Sequence, residues 1–312
     1  VNIDALTYAG NLANLADLRD HPRYRFERVD IAEADQVQAA FDGLAVKPDF
    51  IINFAAESHV DRSIDGPEAF VRANITGTFR LLERARRIEG VRFLQVSTDE
   101  VYGSLGDEGA FTETTPLSPS SPYSATKTSA DMLVNAYAHT YKLDTIITRC
   151  SNNYGPYQFP EKLIPLMIIH ADAGKPLPIY GTGLNVRDWI HVDDHCNGIL
   201  TALERGKAGE VYNFGGEAER PNLGIVHLIA DTVCGHRDLM TFVKDRPGHD
   251  WRYAMDISKV RRELDWAPKV NFEEGIRATI AWYLENRTWW QQIQSNEHLE
   301  FYDRWYAERG QS

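Results

Sequence analysis

The sequence predicts an α/β protein: a doubly wound, mostly parallel sheet with helices on both faces, then a smaller mixed C-terminal part. Three observations lead there. Short β-rich apolar runs alternate with long helical patterns up to about residue 150, the order of a parallel sheet joined by crossover helices. Each run is apolar almost throughout, as a strand covered on both faces should be. After Cys150 the texture changes, because Pro156, Pro160, Pro165, Pro176 and Pro178 break regular structure. The change is not a linker, so the two parts, residues 1–150 and 151–312, should pack around a shared cleft.

The elements follow in order. Val1 to Asp4 reads as the end of a strand with no lead-in. Tyr24 to Val29 reads as a strand, Ala34 to Phe41 as a helix and Asp49 to Phe54 as a β-rich apolar run. Pro67 to Arg87 reads as one long helix, with Phe70, Ile75, Phe79 and Leu82 apolar. Arg92 to Val96 is a strand, Ser121 to Tyr141 a second long helix and Thr145 to Thr148 a further strand. Beyond these, Asp193 to Leu203 and Leu223 to Cys234 read as helices and Val211 to Phe214 as a strand. The tail from Phe272 is helical and rich in aromatics.

Composition narrows the function. The 312 residues carry a formal net charge of -12, which argues against nucleic acid as the main partner. An anionic small ligand stays compatible, since a local basic pocket can sit in an acidic protein. Cys150, Cys196 and Cys234 lie far apart and form no CxxC pair, which fits a reducing compartment. No apolar run approaches the ~20 residues of a membrane span, and no secretory leader pattern opens the sequence. A cytoplasmic protein is expected. No His or Cys spacing resembles a metal site.

The strongest chemical signal is Tyr123-Ser-Ala-Thr-Lys127 at a helix start, after Pro122. The spacing places Tyr123 and Lys127 on one helix face. A free phenol titrates near 10 and is a poor base at neutral pH; a lysine cation beside it should favour the phenolate. Such a pair can take a proton from an alcohol as its hydride leaves. A surface Tyr and Lys sharing a face would look the same. The second signal is Ser97-Thr98-Asp99-Glu100-Val101-Tyr102-Gly103, directly after a strand. In open α/β sheets such residues line the ligand crevice. A turn there can aim Asp99 and Glu100 at one substrate and split the roles of acid and base; an acidic surface turn is the plainer alternative.

A third signal is Asn53-Phe-Ala-Ala-Glu-Ser-His59, whose small residues after a strand permit close approach of a cofactor or tight helix packing. Asp4 and Asp30 each end a strand, where a carboxylate can hold ribose hydroxyls or serve as a turn residue. In the second half Lys162, Arg187, Arg246 and His249 offer cations for a diphosphate.

Taken together the sequence resembles the dTDP-glucose 4,6-dehydratases, over essentially its whole length. The resemblance lies in Asp4-Ala-Leu-Thr-Tyr-Ala-Gly-Asn11, Ala55-Ala-Glu-Ser-His-Val-Asp-Arg-Ser63, the Thr98-Asp99-Glu100 turn, Tyr123 to Lys127, Ser151-Asn-Asn-Tyr-Gly-Pro-Tyr157, Pro160-Glu-Lys-Leu-Ile-Pro165, Arg187-Asp-Trp189 and Arg246-Pro-Gly-His-Asp250. YxxxK alone marks only the extended short-chain dehydrogenase/reductase superfamily. The resemblance implies a Rossmann-like fold, NAD as cofactor and dTDP-glucose as substrate. It implies that Tyr123, aided by Lys127, takes the sugar O4 proton, that Glu100 takes the C5 proton and that Asp99 protonates the departing C6 hydroxyl. Thr98 would hold the sugar. Asp4, Asp30, Ile31, Ala55, Ala56 and Ser58 would contact NAD, as would Tyr123 and Lys127. His59, Asn152, Lys162, Leu163, Tyr180, Arg187, Asn222, Arg246, His249 and Tyr253 would contact the nucleotide sugar. It further implies a homodimer through helices around Ala69 to Arg87 and Ala125 to Tyr141. The family begins with a strand and a GxxGxxG loop that grips the pyrophosphate at a helix N-terminus; that segment, about 30 residues of a βαβ unit, is expected to be missing here. A sugar-nucleotide 4-epimerase, a dehydratase for another nucleotide and a non-catalytic nucleotide-binding module are the alternatives.

Overall fold

The structure, a computed structural model, describes residues 1–293 and 296–310. Strands β1 (Asn2–Asp4), β2 (Phe26–Arg28), β3 (Phe50–Asn53), β4 (Arg92–Thr98) and β5 (Asp144–Cys150) alternate with helices α1 (Ala34–Asp42), α2 (Val60–Asp65), α3 (Pro67–Phe70), α4 (Thr78–Ala85) and α5 (Pro122–Tyr141). The second half carries strands β6 (Asn152–Tyr154), β7 (Leu177–Tyr180), β8 (Val186–His191), β9 (Glu210–Phe214), β10 (Glu219–Pro221) and β11 (Met240–Val243). Its helices are α6 (Leu163–Asp172), α7 (Val192–Arg205), α8 (Asn222–Val233), α9 (Ser258–Leu264), α10 (Phe272–Glu285), α11 (Arg287–Ile293) and α12 (Asn296–Arg309).

The central sheet is parallel, in the order β3-β4-β5-β9, with Ile51 opposite Phe93, Leu94 opposite Ile146 and Ile147 opposite Val211. Its fourth strand is drawn from beyond residue 150. β1 and β2 form a separate parallel pair; among the described residues no strand bonds the second edge of β1 or the outer edge of β3. Two smaller sheets, β10-β8-β6 and β11-β7, build the far wall of the cleft.

Both faces of the central sheet are covered, which explains why its strands are apolar almost throughout. On one face Phe93 and Ile147 pack with Leu82 of α4 and Val134 of α5. On the other, Leu94 and Ile146 pack with Ile199 of α7, Phe214 and Trp266. A third core, Ile164, Met167, Ile225, Ile229, Ile276 and Ile280, joins α6, α8 and α10.

Two helices position the site. α5 begins with a reciprocal cap in which Ser121 accepts from the Ser124 amide at 3.1 Å and the Ser124 hydroxyl accepts from the Ser121 amide at 3.0 Å. Pro122 occupies the first turn, where its missing N–H is no loss. The helix expected over Pro67 to Arg87 is helical as read, but Val71–Gly77 is wound as π turns between α3 and α4. Gly77 lies against Ile31, and a Cβ there would come within 2.5 Å of that side chain.

Candidate active site

The site lies at the carboxyl ends of the parallel strands. β4 ends at Thr98, and Asp99–Tyr102 forms one tight 3-10 turn. The turn closes on Gly103 at φ 84°, where a Cβ would meet the Ser118 carbonyl at 2.3 Å, so only glycine fits. Thr98 caps the turn: its hydroxyl accepts from the Glu100 amide at 3.3 Å and donates to Asp99 Oδ1 at 3.2 Å. The result separates two adjacent carboxylates. Asp99 points into the protein and is 2% exposed, while Glu100 lines the cleft.

Tyr123 and Lys127 lie on the buried face of α5. Lys127 Nζ donates to the Val96 carbonyl at 2.7 Å, which ties the helix to β4. Asn74, buried by the π turns, ties it to the other side: it bonds the Glu57 amide at 2.8 Å, the Glu57 carbonyl at 3.0 Å and the Thr126 hydroxyl at 2.9 Å. The small residues Ala55 and Ala56 after β3 are thereby held beside α5.

Burial dominates the electrostatics. It holds the Asp99 carboxyl well above the usual carboxylate range, and the neighbouring Glu100 charge pushes the same way. Burial also raises Glu100, but Arg246, Lys162 and Arg187 oppose it. Both carboxyls are thus raised, but Asp99 stands well above its ordinary value while three cations restrain Glu100. For the tyrosine the structure corrects the sequence argument. Lys127 was expected to pull the Tyr123 hydroxyl down; burial, then the charge of Glu100, pushes it well above its ordinary value instead. Burial lowers Lys127 itself, with Asp131 opposing.

The cleft beside Glu100 is lined with cations. Lys162 precedes α6 and donates from Nζ to the Ser58 carbonyl at 2.7 Å. Arg187 on β8 donates to the carbonyls of Val186 and Asp250 at 2.8 and 2.9 Å, over the ring of Tyr253 at 4.2 Å. Arg246 pairs with Asp61 at 3.3 Å. His249 is lowered to about 4, first by burial and then by Arg246 and Arg187, so it is neutral in this company. Burial likewise lowers His59 to about 4. Five polar atoms of cleft-lining residues have no partner among the described residues: Asn152 Oδ1, Asn222 Oδ1, Trp189 Nε1, Arg246 Nε and His59 Nδ1. Buried polar groups are rarely left so, and an oxygen-rich anionic ligand would satisfy the donors among them. α12 closes one end, where Tyr306 stacks on Tyr180 at 5.7 Å and Trp305 Nε1 donates to the Tyr180 hydroxyl at 2.8 Å.

The cleft therefore gathers Ser58, His59, Glu100, Asn152, Lys162, Leu163, Tyr180, Arg187, Asn222, Arg246 and His249 on one wall or another. Thr98, Asp99, Tyr123 and Lys127 lie behind the Glu100 wall, buried. Tyr253, read as a ligand contact, is buried beneath Arg187 with its hydroxyl donating to Asp250 at 2.6 Å. Asp4, Asp30, Ile31, Ala55 and Ala56 lie at or just past the ends of β1, β2 and β3. Asp4 accepts from the Leu6 amide at 2.6 Å, and Asp30 pairs with Arg72 at 2.6 Å. Carboxylates at the ends of β1 and β2 suit ribose hydroxyls and would repel a ribose phosphate, so this donor set fits NAD. Sequence reasoning missed four residues. Asp61 and Glu161 sat inside quoted runs and are buried acids among the cations. Glu161 accepts from Tyr8 at 2.7 Å and Arg62 at 3.1 Å. Nothing in the local pattern marked Asn74 or Tyr306.

The fold and the Tyr123–Lys127 pair define an extended short-chain dehydrogenase/reductase. Within that class the chain belongs to the nucleotide-sugar 4,6-dehydratase family: the family described as GDP-mannose 4,6 dehydratase matches residues 1–279. It is 51% identical to the dTDP-glucose 4,6-dehydratase of Neisseria meningitidis, covering 94% of this chain and 88% of that protein. Against the Salmonella typhimurium enzyme of the same name it is 48% identical, with 99% and 92% covered. A solved dTDP-glucose 4,6-dehydratase from Streptomyces venezuelae, with NAD and dTDP bound, superposes with a TM-score of 0.89 at 48% identity, over 94% of this chain and 89% of that one. A UDP-glucuronic acid 4-epimerase from Bacillus cereus superposes at 0.83 with 29% identity, over 91% and 90%.

Proposed function

We propose that this chain is an NAD-dependent dTDP-glucose 4,6-dehydratase, converting dTDP-glucose to dTDP-4-keto-6-deoxyglucose and water. The observation that carries the reading is the unequal pair Asp99 and Glu100: Asp99 is buried with its carboxyl held well above the carboxylate range, while Glu100 lines the cleft and is restrained by three cations. An epimerase that oxidises and reduces C4 needs no such pair; elimination of water needs both an acid and a base.

Lys162, Arg187 and Arg246 hold the diphosphate, with Asn152, Asn222 and Tyr180 along the nucleotide. Tyr123 accepts the O4 proton, Lys127 steadying the phenolate, and Thr98 orients O4. NAD, when bound, supplies the hydride acceptor for C4, the hydride donor for C6 and a positive charge in the site. Glu100 takes the C5 proton, which the 4-keto group has made acidic, and Asp99 protonates the C6 hydroxyl as it leaves as water. Asp4, Asp30, Ile31, Ala55, Ala56 and Ser58 hold the cofactor, residues 1–150 forming mainly its domain and 151–312 mainly that of the nucleotide sugar. The outer faces of α3 to α4 and of α5, where Val71 and Met132 are each 47% exposed, would join two copies as a homodimer. Among the described residues no helix is long and apolar enough to cross a membrane, and a cytoplasmic location suits a nucleotide-sugar substrate.

Glu100→Gln tests the assignment. It should leave C4 oxidation in place, so reduced cofactor accumulates in a single turnover while C5 exchange with solvent deuterium stops. Normal C5 exchange in this variant would remove Glu100 from the role of base.

A further inference from the structure

Behind the Tyr123–Lys127 pair lies a buried charge network that the reaction as described does not use. Tyr123, Lys127 and Asp131 follow at four-residue intervals on the inner face of α5. Asp131 is 0% exposed and pairs through Oδ2 with Arg149 Nε of β5 at 2.9 Å. Arg149 in turn donates to the Tyr102 hydroxyl at 2.9 Å, and Tyr102 to Asn213 at 2.8 Å. The other oxygen, Asp131 Oδ1, has no hydrogen-bond partner, nor has Ser97 Oγ, which lies close enough to favour the Asp131 charge but outside bonding geometry. A buried ion pair brings little net stability, so its position one turn past a buried lysine calls for another explanation.

We propose that Asp131 is a positioning residue for the known chemistry: from inside the protein it keeps the Lys127 ammonium charged, and Arg149 keeps Asp131 ionised and in place. The inference rests on the reading of Tyr123 and Lys127 as the proton-accepting pair. The charged and titratable groups acting on Lys127 are Asp131 from α5 and Cys150 from β5. Burial pushes the Cys150 thiol up to about 12, so it is neutral and leaves Asp131 as the counter-charge. Burial raises Asp131 itself, and Arg149 first, then Lys127 and Ser97, oppose that rise. Tyr123 is acted on by Glu100 and Asp99 from the turn after β4, and by Cys150. Every acid acting on the phenol thus disfavours its ionisation, and the ammonium one turn along the same helix face is itself weakened by burial. Asp131 is the group that most opposes that weakening.

The double variant D131N/R149Q removes both charges and strands neither, and D131E keeps the acid. Two readouts apply: titration of the Lys127 resonance in the chain labelled with 13C-lysine, assigned by its loss in K127M, and the pH dependence of NAD reduction by dTDP-xylose. That sugar has no C6, so it can be oxidised at C4 but not dehydrated. In D131N/R149Q the lysine should titrate about one pH unit lower or more. The acid limb of NAD reduction should move up correspondingly, while melting stays near the wild type and D131E keeps the wild-type profile. A D131N/R149Q variant whose lysine titration and pH profile match the wild type overturns the proposal, whatever its stability. If the wild type fails to reduce NAD with dTDP-xylose, the reading of the pair falls and the proposal with it.

Discussion

Asp99 and Glu100 are neighbours in sequence with opposite surroundings. Asp99 gains stability by staying neutral. Its unfolded carboxyl titrates near 4 and its folded one well above that. The stability is fully present below the unfolded value and is lost as pH rises toward the folded one. At neutral pH Asp99 is therefore a cost, of the kind active sites commonly carry. Asp99→Asn should raise the melting temperature by about 2 °C or more and flatten its fall above roughly pH 4, while elimination of water stops. A thermal melt across pH decides this, and a variant that melts lower would contradict the burial argument. Arg187 has two tasks, since it faces the cleft and also holds down the pKa of Glu100 and of Asp99. Arg187→Ala should weaken substrate binding by about 1.5–3 kcal/mol, read as KM, and shift the acid limb of the rate profile upward as Glu100 loses an opposing cation. That Asp99, Glu100 and Tyr123 would stand at a strand end and a helix start was legible in the sequence because strand end, turn and helix start are local signals. What the sequence could not give is their burial. The same burial that raises Asp99 defeats the simple expectation that Lys127 lowers Tyr123.

At the scale of elements, α5 does most to place the chemistry, and its start is what aims Tyr123. The reciprocal cap of Ser121 and Ser124 fixes that first turn. Ser121→Ala should cost about 1 kcal/mol of stability and, unlike a surface cap, slow C4 oxidation as well; comparison of melting with single-turnover NAD reduction separates the two. Unchanged oxidation in a destabilised variant would mean the cap serves folding alone. The long helix from Pro67 was legible as a helix by its apolar spacing, but the π turns at Val71–Gly77 were not. They follow from a tertiary need: Asn74 has to reach Glu57 and Thr126 at once. The aromatic tail was read as helical, and residues 272–285, 287–293 and 296–309 are so in three helices. Its place over Tyr180 depends on contacts more than a hundred residues apart in sequence and left no local trace.

At the scale of the molecule, the parallel sheet brings the turn after β4 and the start of α5 to one edge, and β8 with the loops before α6 and after β11 brings the cations opposite. An acidic protein thus carries a positively lined cleft beside the adjacent carboxyls of Asp99 and Glu100. The alternation of strand and helix disclosed the parallel sheet, whereas the return of β9 to it came from a segment whose pattern named a strand but not its neighbours. The central claim is that the hydride leaving C4 arrives at C6 while water departs. The direct test is to give the protein NAD and dTDP-glucose deuterated at C4 and to locate the label by NMR. The account predicts a 4-keto-6-deoxy product carrying the deuterium in its C6 methyl group. Deuterium returned to C4 of an epimerised or unchanged sugar would contradict it.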